Sequence, residues 1–531
     1  MKANSIIVLT LLWSSSTVAQ QTFEKVYIGS GGGQLIELDD QNLLTRITWQ
    51  NGISIMDPDG QVVSTQSFGI DTLLGIISVR PGLDGELLFA SGYRKDICSS
   101  PGPSFPLFIH PVLGRMDAMG NVLELFYYQL NGPDCWGYPM DLLASHTKDV
   151  VTWGLAPAFF ALRVDSSLAP RWFKQFDVNG GFQFIKELPG GDLLAGMNMD
   201  TAGAVVARMD ADGNFLWCKS YIRPRGMVHD VLIESDDSFI ITGYTDSTAS
   251  TNSFVPYPSD YHPKLFMMNL NGEGEVQWCK GYESNPNRWY SFNPSRIVRT
   301  QDGNYAVMAT LGNSAFNVEE QAFLAKLDHN GDTLWTRAYG SSNHTYSTID
   351  LLAYSDGGYL LNGIMYGDLP QGWSGAPYIF KADSLGHFSC NEHQPYIEIT
   401  DLFPTDSSFV LTSIDGATAF PAFVNDTVFD PINAYDACVI TSVPRYGRQY
   451  PNRPTIRPNP NTGHFTVEFA DPLMAESYYS VYDTMGKLLF QRRLPTGATQ
   501  EDVDLTGFSP GTYVLRFTDR DGVCYERVVL E

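Results

Sequence analysis

Through the middle of the chain, with anchors from Asp57 to Asp383, short apolar runs are separated by turn residues in a fixed order, with no helical period. An apolar run ends in Asp or Asn, two residues and a Gly follow, and a second run carrying Trp closes on an aromatic residue. Val206 to Tyr221, with Asp210, Gly213 and Trp217, is one copy; Leu324 to Tyr339, with Asp328, Gly331 and Trp335, is another. A third, Met267 to Tyr282, with Asn269, Gly272 and Trp278, reads as carrying one or two extra residues before its Trp. Weaker copies centre on Asp57 with Gly60, Asp117 with Gly120, Asp165 without a Gly, and Asp383 with Gly386. Asp bonds the backbone that follows it and Gly takes the positive φ that closes the loop, so each copy predicts a β-hairpin.

Ahead of most copies stands another turn and strand, as in Gly190 to Gly196, Asp236 to Gly243, Asp302 to Ala309 and Asp356 to Gly363. One more apolar strand precedes each, such as Val228 to Glu234, so the unit has four strands. The anchors at 57, 117, 165, 210, 269, 328 and 383 recur with the period of propeller blades. The pattern predicts an all-β chain with a propeller of about seven four-stranded blades, eight being the alternative. The stretch from Tyr396 to Val443 is strand-like without the turn motif, and either completes the first blade by ring closure or forms an eighth. A β-solenoid would need capping repeats and more uniform lengths.

Length differences fall between the second and third strands of each unit, which predicts variable loops on one face of a disc. Tyr257, Tyr261, Trp289, Tyr290 and Trp373 are candidate loop contacts for a carbohydrate or protein, or pack the loops together. Trp217, Trp278 and Trp335 recur at one position of the unit and predict packing between blades.

The first twenty residues read as a secretory signal peptide: Lys2, the apolar run Ile6 to Trp13, then small residues to Ala19. The formal charge of −25, from 59 acidic and 34 basic residues, disfavours nucleic acid and anionic lipid as partners. No transmembrane segment is predicted. Seven cysteines leave at least one thiol unpaired, with Cys98–Cys135 and Cys390–Cys438 as possible bridges.

No catalytic, metal or cofactor residues are assigned. Asp210-x-Asp212-Gly213 and Asp57-x-Asp59-Gly60 lack the distal Glu of a calcium loop, having Tyr221 and Phe68 there. Gly29 to Gly33 opens no phosphate loop, and nucleophile-elbow and zinc-helix motifs are absent. His387, Cys390 and His393 form a loose metal-ligand grouping that also reads as a polar loop. The Asp, Gly and Trp spacing resembles the tryptophan-docking repeat of quinoprotein propellers, one residue shorter.

Residues 444–454, rich in Pro and Arg, read as a linker between a propeller over 21–443 and a small β-sandwich over 455–531. Within the sandwich, Arg457-Pro458-Asn459-Pro460 with Gly463, Asp483 with Gly486, and Pro510-Gly511 with Tyr513 stand in sequence. These words resemble the type A C-terminal sorting domain of type IX secretion cargo in Bacteroidota. That resemblance implies export through the periplasm by the outer-membrane translocon, with the passenger then released or held at the surface. The passenger resembles secreted β-propeller repeat proteins of the same bacteria, which adds an architecture and no reaction. The expectation is a secreted or cell-surface binding, adhesion or scaffold protein with an unknown glycan or protein ligand. The alternative is an extracellular carbohydrate-active or quinone-dependent enzyme working in the propeller funnel.

Overall fold

The computed structural model describes residues 22–27, 33–38, 41–46, 52–68, 73–94, 109–118, 120–130, 137–155, 159–176, 180–199, 202–221, 226–245, 263–284, 288–289, 295–312, 320–340, 344–367, 375–388, 392–408, 410–411, 413–421, 426–429, 434–436, 454–469, 471–473, 477–482, 488–519 and 522–530. Every regular element among them is a β-strand. The chain divides into two compact units, Met1–Cys438 and Val439–Glu531.

The first unit contains seven antiparallel sheets built from consecutive strands. In blade 3, for example, Tyr138–Ala144, Val150–Leu155, Phe159–Val164 and Pro170–Phe176 run from the innermost to the outer strand. The middle strands are buried on both faces, as in Tyr305–Gly312 of blade 6, which explains their unbroken apolar runs. Alternate side chains enter opposite junctions. Phe89 packs with Ile53 and Ile36 of blade 1, while Leu88 and Ala90 pack with Phe160 and Leu162 of blade 3. One such apolar cluster fills each of the seven junctions, including that between blades 7 and 1, so the ring is closed.

The fourth strand of blade 7 is Phe23–Tyr27, which pairs with Ala376–Ala382. Ring closure therefore comes from Phe23–Tyr27, and the expected role for Tyr396 to Val443 is corrected: the described residues of that segment, which end at Asp436, neither close the first blade nor build an eighth. Instead it forms a belt. Glu392–His393 adds a fifth, outer strand to blade 6, and Ile397–Asp401, Ser407–Ser408, Ser413–Asp415, Ala417–Pro421, Asp426–Phe429 and Ala434–Asp436 do the same for blades 5, 4, 3, 2, 1 and 7 in turn. The segment lacked a turn motif because its successive strands never pair with each other. Residues 392–436 hold eight acidic residues and no Lys or Arg. The blades meet this charge with a cation two residues after the repeat Trp: Lys174 pairs with Asp415, Lys219 with Asp406, and Arg337, two after Trp335, with Glu392.

Both hairpin turns of each blade lie on one face. The turn between third and fourth strands repeats with the same bonds, Gly213 N–H donating to Asp210 and Gly331 N–H to Asp328. In the third sequence copy the closing residue is Gly274, whose N–H donates to Asn271, so Asn271 is the anchor, not Asn269, and there is no insertion. Blade 3 closes the same turn on Leu168, held at φ 59°. These turns are sockets for the preceding blade. A Cβ on Gly274 would stand 2.9 Å from the Trp217 ring, and one on Gly331 3.1 Å from Trp278. The Trp217 Nε1–H donates to Gly272 O at 2.8 Å, and the Tyr221 and Tyr282 hydroxyls donate to the carbonyls of Gly274 and Gly331. The repeated Trp and terminal Tyr are thus blade-to-blade packing, with the Trp217 indole and the Tyr221 and Tyr282 hydroxyls satisfied and the enclosed Trp335 Nε1 without a partner.

The second unit has a three-stranded sheet, Thr455–Arg457, His464–Glu468 and Gln500–Asp504, and a four-stranded one, Leu488–Leu494, Ser477–Tyr482, Gly511–Asp519 and Gly522–Leu530. Phe465, Val467 and Val503 from one sheet share a core with Tyr479, Val481, Leu515 and Val528 from the other.

Candidate functional site

The innermost strands bring charges of alternating sign together around the middle of the disc. Arg80 of blade 2 pairs with Asp141 of blade 3 at 3.0 Å, Lys186 of blade 4 stands 4.0 Å from Asp230 of blade 5, and Arg296 of blade 6 lies 3.4 Å from Asp350 of blade 7. Each Asp follows a shift in strand register, at Pro139/Asp141, Val228/Asp230 and Thr348/Asp350. The extra residue re-aims the side chain that follows it.

These carboxylates are also bonded to neighbouring backbones and side chains. Asp350 accepts from the Leu35 amide of blade 1 at 2.8 Å, and Asp230 from the Ile297 amide of blade 6. Asp141 accepts from Gln34, Ser78 and its neighbour Leu142. Burial alone would raise the Asp141 carboxyl, but the Arg80 guanidinium and these donors hold it below its usual range. In Asp350 burial prevails over Arg296, and the carboxyl is pushed up. His229 is buried, accepts the Ser295 amide on Nδ1 at 3.0 Å and meets Tyr244 edge-on. Burial, aided by Arg296, pushes it down to about 3, so the ring is neutral. Sequence reasoning missed this ring of charges. The signal was available: Asp141-Leu-Leu, Asp230-Val-Leu and Asp350-Leu-Leu each place an Asp before an apolar pair in the first strand of a blade.

Other sequence candidates resolve differently. The Asp210 carboxylate is taken up by the amides of Asp212 and Asn214 in its own turn. His387 bonds Glu392 at 2.9 Å beside Arg337, Cys390 lies outside the described residues, and no group of metal ligands occurs among the described residues. Cys218 and Cys279 are buried free thiols that burial pushes up to about 12, hence unreactive. Cys98, Cys135 and Cys438 lie outside the described residues, as do Tyr257, Tyr261, Tyr290 and Trp373. For Trp289 only the backbone is described, paired with Leu311.

In the second unit the motif residues have clear mechanical roles. The Asn459 side chain donates to Arg527 O at 2.7 Å and accepts from Val529 N–H at 2.9 Å, tying the first segment to the last strand. Pro458 and Pro460 flank it in cis. Gly463, at φ 103°, lies against the Thr506 backbone, where a Cβ would come within 2.8 Å. Tyr513 donates to Ser509 O just before Pro510-Gly511, fixing that turn. Asp483 and Gly486 lie outside the described residues.

No helix among the described residues is long and apolar enough to cross a membrane. No curated protein matches the chain. Among solved structures, a protein of unknown function from Bacteroides caccae is 12% identical over 60% of this chain and 94% of its own, with a TM-score of 0.34. PorZ, a bacterial surface component of the type-IX secretion system of Porphyromonas gingivalis, is 10% identical over 93% of this chain and 69% of its own, with a TM-score of 0.33. Residues 455–531, where Asn459, Gly463 and Tyr513 organise the sandwich, match the family model of the secretion system C-terminal sorting domain, and the chain is accordingly exported to the cell surface or secreted.

Proposed function

We propose that the protein is cargo of the type IX secretion system and acts, after export, as a binding or scaffold propeller. The sorting-domain match supports the route. What supports binding over catalysis is the condition of the central charges: each of these three carboxylates is engaged across a blade junction by a cation or amide, and His229 beside them is neutral and enclosed. Groups tied up in this way brace a ring. A braced ring loses little freedom of its own on binding, which favours affinity. The ligand classes that fit a surface-displayed acidic disc are glycans and proteins.

The test is the intact mass and terminal sequence of the protein from surface and medium fractions, beside a form truncated after Pro454. Export cargo should begin near Gln20 or Gln21, end near residue 454, and accumulate in the periplasm when truncated. A mature protein retaining residues 455–531, with export unchanged by truncation, would reject the route and make the sandwich itself the first candidate for a working domain.

A further inference from the structure

The junction between blades 2 and 3 lacks a seal that the next two junctions share. In blades 3 and 4 the third strand carries an Arg directly across from the outer-strand Trp, Arg163 opposite Trp172 and Arg208 opposite Trp217. Arg and Trp together seal the junction: Arg163 and the Trp172 Nε1–H both donate to Ala211 O in the turn of blade 4, and Arg208 and Trp217 both to Gly272 O in that of blade 5. Blade 2 keeps the cation, Arg115, but opposite it stands Glu124, and the receiving turn in blade 3 has Leu168 in place of Gly. The clamp from the 1–2 turn is loose as well. Arg163–Asp149, Arg208–Asp192 and Lys326–Asp302 close to 2.6–2.8 Å, whereas Arg115 lies 3.6 Å from Glu86 and 3.7 Å from Glu124.

At this junction a cavity of about 240 Å³ opens between blades 2 and 3, lined by Asp84, Glu86, Arg115, Lys148, Asp149 and Ser166 among others. It holds two enclosed polar atoms without a hydrogen-bond partner: Arg115 Nε, a donor, and Asp149 Oδ1, an acceptor on a side chain only 4% exposed. Leaving either unmet is costly, and the space is several times the roughly 30 Å³ share of one water. A metal cation would face Arg115 and Lys148, and a simple anion would face three carboxylates. What meets both atoms is a neutral molecule offering O–H to Asp149 and lone pairs to Arg115, with a body small enough for the space.

We propose that this junction binds one neutral hexopyranose unit, the end residue of a glycan, through hydroxyl groups on Asp149 and Arg115. The inference deepens the binding function proposed above and rests on it. Leu83 and Leu88 supply the apolar wall against which the sugar's C–H face lies.

The test titrates the full chain with D-glucose, D-galactose, D-mannose, L-fucose and glycine, following ligand-observed NMR, and repeats the titration on two variants. Glu124→Trp with Leu168→Gly builds in the seal used by blades 3 and 4. Arg115→Lys keeps the charge and removes the Nε donor. At least one hexose should bind wild type, and each folded variant should bind it at least about tenfold more weakly, the loss expected for a site deprived of a buried charged hydrogen bond. Binding of glycine alone would replace the sugar by a zwitterion and overturn the proposal, as would no binding at all. If a hexose binds but Arg115→Lys leaves its affinity unchanged, the site lies elsewhere on the disc: this inference then fails while the binding function stands.

Discussion

The Tyr27 hydroxyl donates to the Gly60 carbonyl at 2.8 Å, joining the first strand of the chain to the outer turn of blade 1. Phe23, four residues earlier, covers the same glycine, where a Cβ would meet its ring at 2.6 Å. The closing strand thus uses the socket that Trp217 and Tyr221 use one junction after another. Tyr27→Phe should lower stability by about 1 kcal/mol, the usual net value of such a bond, with the ring still closed. Chemical denaturation with an unchanged m-value would show it.

The same strand carries a buried carboxyl. Glu24 is pushed up from 4.5 to about 7 by burial, which outweighs the hydrogen bond from the Tyr346 hydroxyl at 2.8 Å. Between these values the folded chain holds a proton that the unfolded chain has lost, so stability falls as pH rises through the window and is flat above it. By linkage the loss is about 3 kcal/mol by pH 7.5, at order-of-magnitude precision. Glu24→Gln should remove this component, so its melting temperature should exceed that of wild type at pH 7.5 and match it near pH 4. Parallel melting curves with pH would refute the assignment.

Two glycines with similar backbones separate conformational cost from packing cost. Gly303 has φ 84° and open space where a Cβ would point; Gly274 has φ 73° and the Trp217 ring at 2.9 Å. Gly303→Ala should cost about 1 kcal/mol, from the left-handed backbone alone. Gly274→Ala should cost about 2 kcal/mol more, because blades 4 and 5 must separate to admit the methyl. Equal melting shifts for the two would show that the socket is slack.

The belt offers a test of charge. Lys174→Glu with Lys219→Glu opposes Asp415 and Asp406 with like charges, while the seven inter-blade cores are untouched. Amide exchange over residues 405–415 should quicken markedly, with little change in the inner strands, since exposed pairs of this kind carry about 1 kcal/mol or less each. High salt should quicken the same amides in wild type, in smaller degree.

In the sorting domain, Asn459→Ala removes two bonds that hold the first segment to the last strand, and Gly463→Ala drives a methyl into the Thr506 backbone. Both should unfold the sandwich at lower temperature, Gly463→Ala more, at roughly 2–4 kcal/mol for a forbidden backbone with a clash. If the domain is read as a folded object, export should fall in the same order, measured as the periplasmic fraction. Normal export of a destabilised Gly463→Ala protein would mean that the signal is read unfolded.

Local pattern carried the blades, because a hairpin turn and its flanking strands are determined by neighbours in sequence. Asp210-x-x-Gly213 was readable for that reason. Gly272 offers a nearer glycine and points to Asn269 as the anchor, yet the Trp of that copy sits seven residues after Asn271, as Trp217 does after Asp210. Ring closure was also present in the letters: Phe23-Glu-Lys25-Val-Tyr27 matches Trp217-Cys-Lys219-Ser-Tyr221. The belt could not be read, since Ser407–Ser408 has no apolar alternation and its partner, Lys219 to Ser220, lies far away in sequence. The cavity beside Arg115 is legible only afterwards, because Glu124 in place of a Trp looks like ordinary drift until the space between blades 2 and 3 is seen.

A belt strand of two to five residues would not hold to a blade as a free peptide. On the disc, each is tethered to a neighbour already in place, and its slot lies a few residues' reach away, so it meets that slot at an effective concentration in the millimolar range or above. Attachment is therefore sequential. Weak contacts that would fail singly succeed as a series, and the rim can be lost only by release from one end, blade after blade.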